Sequence, residues 1–286
     1  MTHILIRSEC RDNEKRVGIT PLEAKNLLNQ GIKVSIEESK SRIIPVSNYR
    51  DVGCEIVKEK SWPNAPLETI IFGLKELPDD PFPLKHRHIM FGHAFKGQPT
   101  AKNLLNRFKA GGGVLYDIEY LIAPTGKRVA AFGYWAGYAG AAVTISCWVS
   151  QKAKKSPKTF TPYQDKDSLD RQIKRELEKS KHSPKNAIVI GSLGRVGSGV
   201  IDLCEKMNIK MTKWDILETS KKQDFSEILD HDLFFNCVVA NKETPTFISE
   251  RIIRRNQNLT IVGDIACDPG SRYNPIAIYD AVTTWS

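Results

Sequence analysis

An apolar run, Ala187-Ile188-Val189-Ile190, leads directly into Gly191-Ser192-Leu193-Gly194-Arg195-Val196-Gly197-Ser198-Gly199. Apolar residues then recur with helical spacing at Val200, Ile201, Leu203, Cys204 and Met207. A strand, a glycine turn and an amphipathic helix in that order demand a parallel α/β architecture. Backbone N–H groups in such a turn can approach a pyrophosphate, and the helix N-terminus favours its negative charge. In the Gly-x-Gly-x-x-Gly frame, Ser192 stands at the first glycine place, with Gly194 and Gly197 at the others.

Asp215 closes the next strand-like run, Lys210–Trp214. An acidic side chain at that place accepts hydrogen bonds from adenosine ribose hydroxyls and repels a 2′-phosphate. The expected cofactor is therefore NAD rather than NADP.

The 286 residues leave room for two ordinary domains, and 41% hydrophobic with 26% charged residues are globular values. Residues 1–20 lack a signal-peptide core, since Arg11, Lys15 and Arg16 interrupt them. No apolar run reaches membrane-spanning length. The six cysteines form no Cys-x-x-Cys pair and mostly lie in apolar runs, the usage expected of a reduced cytoplasmic protein without a metal site.

A net charge of +9 raises the question of nucleic acid, and its distribution answers it. Segment 151–185 holds eleven Lys/Arg and five Asp/Glu, so the rest of the chain is nearly balanced. Only Phe160 and Tyr163 in that segment offer rings for base stacking. It reads as a solvated linker and a charged helix near 167–181, not a nucleic-acid platform.

Along the first half, strand and helix signals alternate. Strands are expected at His3–Arg7, Lys33–Glu37, Glu55–Val57, Thr69–Leu74, His88–Phe95 and Val114–Tyr120. Thr20 caps a helix with Pro21 and Glu23 in its first turn, and Gly31 stops it. Ala101–Lys109 is a second helix. The expected organisation is a catalytic lobe at 1–128, an inter-lobe helix at 129–152 and a basic linker with charged helix at 153–184. A dinucleotide lobe at 185–275 and a C-terminal return toward the first lobe at 276–286 complete it. The fold class is α/β, two Rossmann-like lobes with parallel sheets and a cleft between them.

Charged groups follow strands throughout the first lobe, where α/β proteins place ligands. Lys75-Glu76 follows Ile70–Leu74, His93 and Lys96 follow Ile89-Met90-Phe91, and Glu119 closes Leu115–Ile118. Lys127-Arg128 precede the long helix. A lysine beside a histidine in such a place suits acid–base work.

These residues carry a resemblance. The motifs are Arg16-x-x-x-Thr20-Pro21, Gly73-Leu74-Lys75-Glu76-x-Pro78, His93-x-x-Lys96-x-Gln98, Asp117-x-Glu119-x-Leu121 and Lys127-Arg128-Val129-Ala130-Ala131-Phe132-Gly133. Gly194-Arg195-x-Gly197-Ser198-Gly199, Lys213-Trp214-Asp215-x-x-Glu218-Thr219 and Asn236-Cys237 continue them. Together they resemble the NAD-dependent, lysine-forming saccharopine dehydrogenases of the alanine dehydrogenase-like group, over nearly the whole chain and in order.

The resemblance implies oxidative deamination of saccharopine. Hydride leaves the glutaryl α-carbon for the nicotinamide, water adds to the imine, and the carbinolamine collapses to L-lysine and 2-oxoglutarate. By the same resemblance Lys75 and His93 are the acid–base pair. One takes the proton from the substrate amine, and the other serves hydration and collapse. Arg16, Lys75, Gln98, Arg128 and Phe132 match substrate-contacting positions, and guanidinium groups suit a substrate with three carboxylates. Glu76 and Glu119 moderate the positive charge. Lys127, Gly194, Arg195, Asp215, Thr219, Val239 and Ile265 match NAD-contacting positions. No partner beyond these small molecules is implied, and a monomer or weak homo-oligomer is expected.

Two departures accompany the match. Lys127 stands where members often carry Arg, keeping the charge without the planar fork. Members also continue for several dozen residues beyond the place matching Tyr279, with a segment near the nicotinamide. Its absence here makes a catalytically impaired NAD-binding homologue with a regulatory or structural role the alternative expectation, beside a dehydrogenase for another amino acid or imine.

Overall fold

A computed structural model describes residues 1–95, 100–255 and 258–281. The chain forms two compact units, Met1–Ala131 and Phe132–Ser286. Among the described residues, no helix is long and apolar enough to cross a membrane.

The first unit runs β1 (His3–Ile6), α1 (Pro21–Asn29), β2 (Lys33–Glu37), α2 (Val46–Asp51), β3 (Glu55–Val57), β4 (Ile70–Phe72), β5 (Arg87–Met90), α3 (Ala101–Gly111) and β6 (Val114–Asp117). All six strands are parallel, in the order β3-β2-β1-β4-β5-β6. That is the doubly wound order, with the chain reversing direction across the sheet between β1 and β4. Ligands in such sheets gather outside the carboxyl ends of the strands at that reversal. α1 starts as expected: Thr20 and Glu23 form a reciprocal capping box, and Pro21 opens the helix. One face of the sheet buries Ile6, Val34 and Ile36 against Ala24 and Tyr49, and Met90 packs with Leu104 and Phe108.

The second unit contains α4 (Gly133–Lys152), α5 (Lys166–Ser180), β7 (Asn186–Ile190), α6 (Arg195–Lys206), β8 (Lys210–Trp214), α7 (Ile216–Thr219), β9 (Leu233–Asn236), β10 (Ile248–Ser249), α8 (Glu250–Ile253), β11 (Ile261–Asp264) and β12 (Ile276–Ala277). Its main sheet is parallel in the order β11-β9-β7-β8. Ala187 and Val189 of β7 face one core with α4, α5 and α6, while Ile188 and Ile190 face another with Trp214, Phe225 and Phe247. A strand buried on both sides explains why this run is continuously apolar. β12 pairs in parallel with β10 inside this unit.

Four first-unit strands end earlier than the alternation suggests, β1 at Ile6 and β4 at Phe72 by only one or two residues, β5 and β6 by more. β5 stops at Met90, and β6 stops at Asp117 before a single 3-10 turn over Ile118–Tyr120. For β5 and β6 the reason lies at the site.

Candidate functional site

Lys75 leaves the carboxyl end of β4 on a backbone gripped from two sides. The Glu9 carboxylate accepts the N–H groups of Leu74 (2.7 Å) and Lys75 (3.0 Å). The guanidinium of Arg7, at the end of β1, donates to the Lys75 carbonyl and to Ser8 O at 2.9 Å. Arg7 is fully buried and lies 3.6 Å from Glu9. The buried pair thus fixes the peptide and leaves the lysine side chain for other work: Lys75 Nζ makes no hydrogen bond among the described residues.

The Lys75 charge does reach Glu14. Burial alone would raise the Glu14 carboxyl, but hydrogen bonds from Arg16, its charge and that of Lys75 hold it below the ordinary range. Arg16 meets Glu14 with a fork, Nε to Oε1 at 2.8 Å and Nη2 to Oε2 at 2.6 Å, and its side chain stays half exposed. Glu76 shows the same contest. Burial pushes it up, and Arg11, its own backbone N–H and the charge of His93 bring it down.

His93 follows β5 in the left-handed region, at φ 51°. That conformation is uncommon for a residue with a Cβ, and it is what ends the expected strand. His93 Nδ1 lies 3.0 Å from Glu119 Oε2, and Glu119 Oε1 lies 3.7 Å from Arg128 Nη2. Glu119 is buried, so one sheltered carboxylate links a partly exposed histidine and an exposed arginine. Arg128 sits on a hairpin: Ile122 and Arg128 form an antiparallel bridge, and Ala123 N–H donates to Lys127 O at 2.8 Å. Lys127 is exposed at the tip of this hairpin beside Gly126, whose φ is 77°. Gln98 lies outside the described residues.

A pocket of about 210 Å³ opens beside Glu76 in this unit, walled by Cys10, Arg11, Pro78, Gly92 and Arg107.

In the second unit Gly194 and Gly197 keep their places in the frame, with Ser192 at the first one. Gly191, not Ser192, makes the tight turn, with φ 90° and its α-carbon against the Cys237 backbone. A Cβ on Gly197 would collide with Gly191 O, so the helix approaches the turn as closely as a backbone can. Gly194 caps α6 with extended backbone, and a Cβ there would meet only Gly191 O, at 3.3 Å. The turn is therefore an open cradle at a helix N-terminus, and it fits a pyrophosphate. Arg195 opens the helix.

Asp215 ends β8 and does three jobs. Its Oδ2 accepts the Leu193 N–H at 2.8 Å, tying the glycine turn to the neighbouring strand. Its Oδ1 accepts the Ile216 N–H at 2.9 Å, and it shares a capping box with Glu218 at the start of α7. The spare lone pairs of the carboxylate remain available for hydroxyl donors. Leu193, Ile216, Leu217 and Val239 are strongly exposed apolar side chains following β7, β8 and β9. Thr219 is buried and gives its hydroxyl to Asp215 O at 2.8 Å, so the side chain is spent on the helix. Ile265 packs against Gly140 of α4, and Phe132 is exposed at the start of α4.

The pair Arg7–Glu9 belongs to the first-unit site without having stood out in the sequence, and Asp117, quoted there only within the Asp117-x-Glu119-x-Leu121 motif, belongs to it too. Asp117 accepts from Gly92 N–H (3.2 Å), Ala94 N–H (3.4 Å) and Glu119 N–H (3.1 Å).

Residues 5–139 match the alanine dehydrogenase/PNT N-terminal domain family. The chain is 40% identical to "Saccharopine dehydrogenase [NAD(+), L-lysine-forming]" of Candida albicans, over 98% of this chain and 79% of that protein. It is 39% identical to the protein of the same description from Yarrowia lipolytica, with the same coverage. Among solved structures, a transhydrogenase from Sinorhizobium meliloti superposes with a TM-score of 0.58 at 12% identity, covering 89% of this chain and 75% of its own. That likeness concerns the fold.

Proposed function

The chain belongs to the family of NAD-dependent, L-lysine-forming saccharopine dehydrogenases, and we propose from that premise that it interconverts saccharopine with L-lysine and 2-oxoglutarate. The observation that supports the reading best is the set of groups at the carboxyl ends of β4, β5 and β6. Lys75 presents Nζ with no competing hydrogen-bond partner among the described residues, and His93 is bonded to a buried carboxylate that also faces Arg128. The cofactor is NAD, held by the Gly191–Gly197 cradle with Asp215 on the ribose and Leu193, Ile216 and Val239 offering apolar cover for the base. When bound it supplies the hydride acceptor.

The residues of this chain then handle protons and carboxylates. Arg16 and Arg128 take substrate carboxylates in forked hydrogen bonds, each giving up part of its contact with Glu14 or Glu119. Lys75 Nζ receives the proton of the secondary amine as the substrate is oxidised. His93 Nε2 takes a proton from the water that adds to the imine and returns it to the departing amine of lysine. Glu119, on Nδ1, fixes the tautomer that leaves Nε2 basic. Gln98 and Phe132 add substrate contacts, and Lys127, Arg195, Thr219 and Ile265 border the dinucleotide. Of these, Thr219 contributes through the shape of α7 rather than its hydroxyl. The free cysteines suit a reducing compartment, the cytoplasm.

The test is direct. Purified protein with lysine, 2-oxoglutarate and NADH should consume NADH, followed by the loss of the reduced cofactor's absorbance. Lys75→Met and His93→Gln should each lower turnover by about 10²–10⁴-fold with NADH binding intact. Consumption with another amino acid or oxo acid but not with this pair, or none at all beside normal NADH binding, favours the readings of a different substrate or an impaired homologue.

A further inference from the structure

We propose that Asp117 is the positioning residue for His93, acting through the backbone: one carboxylate holds the amides on both sides of the histidine and the amide of the residue that orients its ring. The inference rests on His93 handling protons in the reaction proposed above.

The geometry is specific. Asp117 Oδ1 accepts Gly92 N–H at 3.2 Å and Glu119 N–H at 3.1 Å, and Oδ2 accepts Ala94 N–H at 3.4 Å. The residue between the two held amides, His93, is the one in the left-handed region at φ 51°. A residue with a Cβ stays there only where its surroundings over-determine it. Asp117 pairs with Met90 in the sheet, so its own backbone is anchored two residues before Gly92. A Cβ on Gly92 would stand 3.3 Å from Asp117 Oδ2, so the glycine lets the carboxylate come close to this backbone. The third bond carries the argument from the histidine backbone to its ring. The Glu119 N–H is held by the same Oδ1, and Glu119 Oε2 receives His93 Nδ1 at 3.0 Å. Two otherwise separate strand ends, after β5 and β6, thus share one anchor. Acid–base catalysis loses rate steeply when the donor atom is displaced, so an anchor for both partners affects turnover more than binding.

A double-mutant cycle tests this. Asp117→Ala should lower kcat about 10–100-fold while KM for lysine and 2-oxoglutarate shifts less than about threefold. In the His93→Gln background the same change should cost less than about twofold, because its effect passes through the histidine. Asp117→Asn keeps the acceptor for Gly92 and Glu119 and should return kcat to within about fivefold of the unmutated enzyme. Hydrogen exchange at the Gly92 and Ala94 amides, read by NMR, should quicken in Asp117→Ala. If that variant does not fold, Asp117→Ser, with one short acceptor, takes its place in every arm. Equal losses from Asp117→Ala with and without His93, or an Asn variant as slow as the Ala variant, overturn the proposal, as does unchanged exchange at both amides. Normal turnover in His93→Gln is a different failure: it removes the histidine from the chemistry, and the exchange result then reports a purely structural anchor.

Discussion

Arg7 occupies the space that a side chain on Gly73 would need. A Cβ built on Gly73 would collide with Nε, Cζ and Nη2 of that guanidinium, which is itself buried behind the Lys75 peptide. The glycine before Leu74-Lys75 is therefore a slot for a cation, not a flexible joint. Gly73→Ala should lower stability by about 1–3 kcal/mol through overpacking, and it should lower kcat as the Lys75 peptide shifts. Denaturant melts beside steady-state kinetics check both. A variant with unchanged midpoint and unchanged kcat would show that the guanidinium moves aside freely.

On the proposed reading, cofactor choice turns on Asp215. Because its carboxylate also holds Leu193 N–H and caps α7, its replacement acts twice. Asp215→Ser keeps a capping oxygen but removes the charge. NAD binding should weaken by about 1.5–3 kcal/mol, and the preference over NADP should narrow. Calorimetric titration with both dinucleotides is the measurement. Equal dissociation constants in the unmutated protein would remove Asp215 from cofactor selection.

His88 gives the first unit an acid limit. Its ring is buried against Trp62 (5.0 Å, edge-on) and Phe108 (5.4 Å), and among the described residues neither ring nitrogen has a hydrogen-bond partner. Burial, followed by the charge of Arg7, brings its pKa down to about 3. The unfolded chain takes up the proton near the usual histidine value, so stability is full above about pH 6.5 and falls as pH drops toward 3. One proton gives a slope of at most about 1.4 kcal/mol per pH unit. Urea midpoints between pH 6.5 and 4.5 should show this slope, and His88→Leu should flatten it (the pH window follows the shift stated above). An identical slope in both proteins would place the acid sensitivity elsewhere.

α4 and α6 meet through glycines. A Cβ on Gly137 would strike the Val196 carbonyl, and one on Gly199 would strike the Tyr134 carbonyl. Gly137→Ala should therefore lower the melting temperature and weaken NAD binding together, at a cost of about 1–3 kcal/mol in stability. Thermal scans and NAD titration on the same preparation decide it. A loss of stability with NAD affinity untouched would separate the helix contact from the cradle.

Periodicity and turn chemistry made much of the scaffold legible. Lys33–Glu37, Glu55–Val57 and Lys210–Trp214 fall where the alternation put them, and Thr20-Pro21-x-Glu23 announced its helix. Strand ends carrying Lys75, His93 and Glu119 could be read because a charged residue after an apolar run is a local pattern. What escaped was set by distant contacts. Nothing near Arg7 in the sequence says that β1 will lie beside β4 and bury a guanidinium under Gly73. The left-handed His93 has no local signature, since Asp117 imposes it from another strand. The motif frame showed a serine, Ser192, at its first glycine place, and it took the backbone to show that Gly191 makes the turn. The Leu121–Val129 hairpin is too short and too irregular for alternation to reveal.

The glycine contact between α4 and α6 also bears on how such a protein can change over generations. With backbone resting on backbone at Val196 and Tyr134, the phosphate-facing helix has no side chains there whose size could be adjusted by small steps. If the cofactor binds as proposed, selection for tighter or looser retention then works on the exposed rim, at Leu193, Ile216, Leu217 and Val239, where substitutions are individually cheap. The cradle is held constant and the rim drifts, so homologues adapted to different dinucleotide concentrations should differ at those four positions far more than along the helix seam.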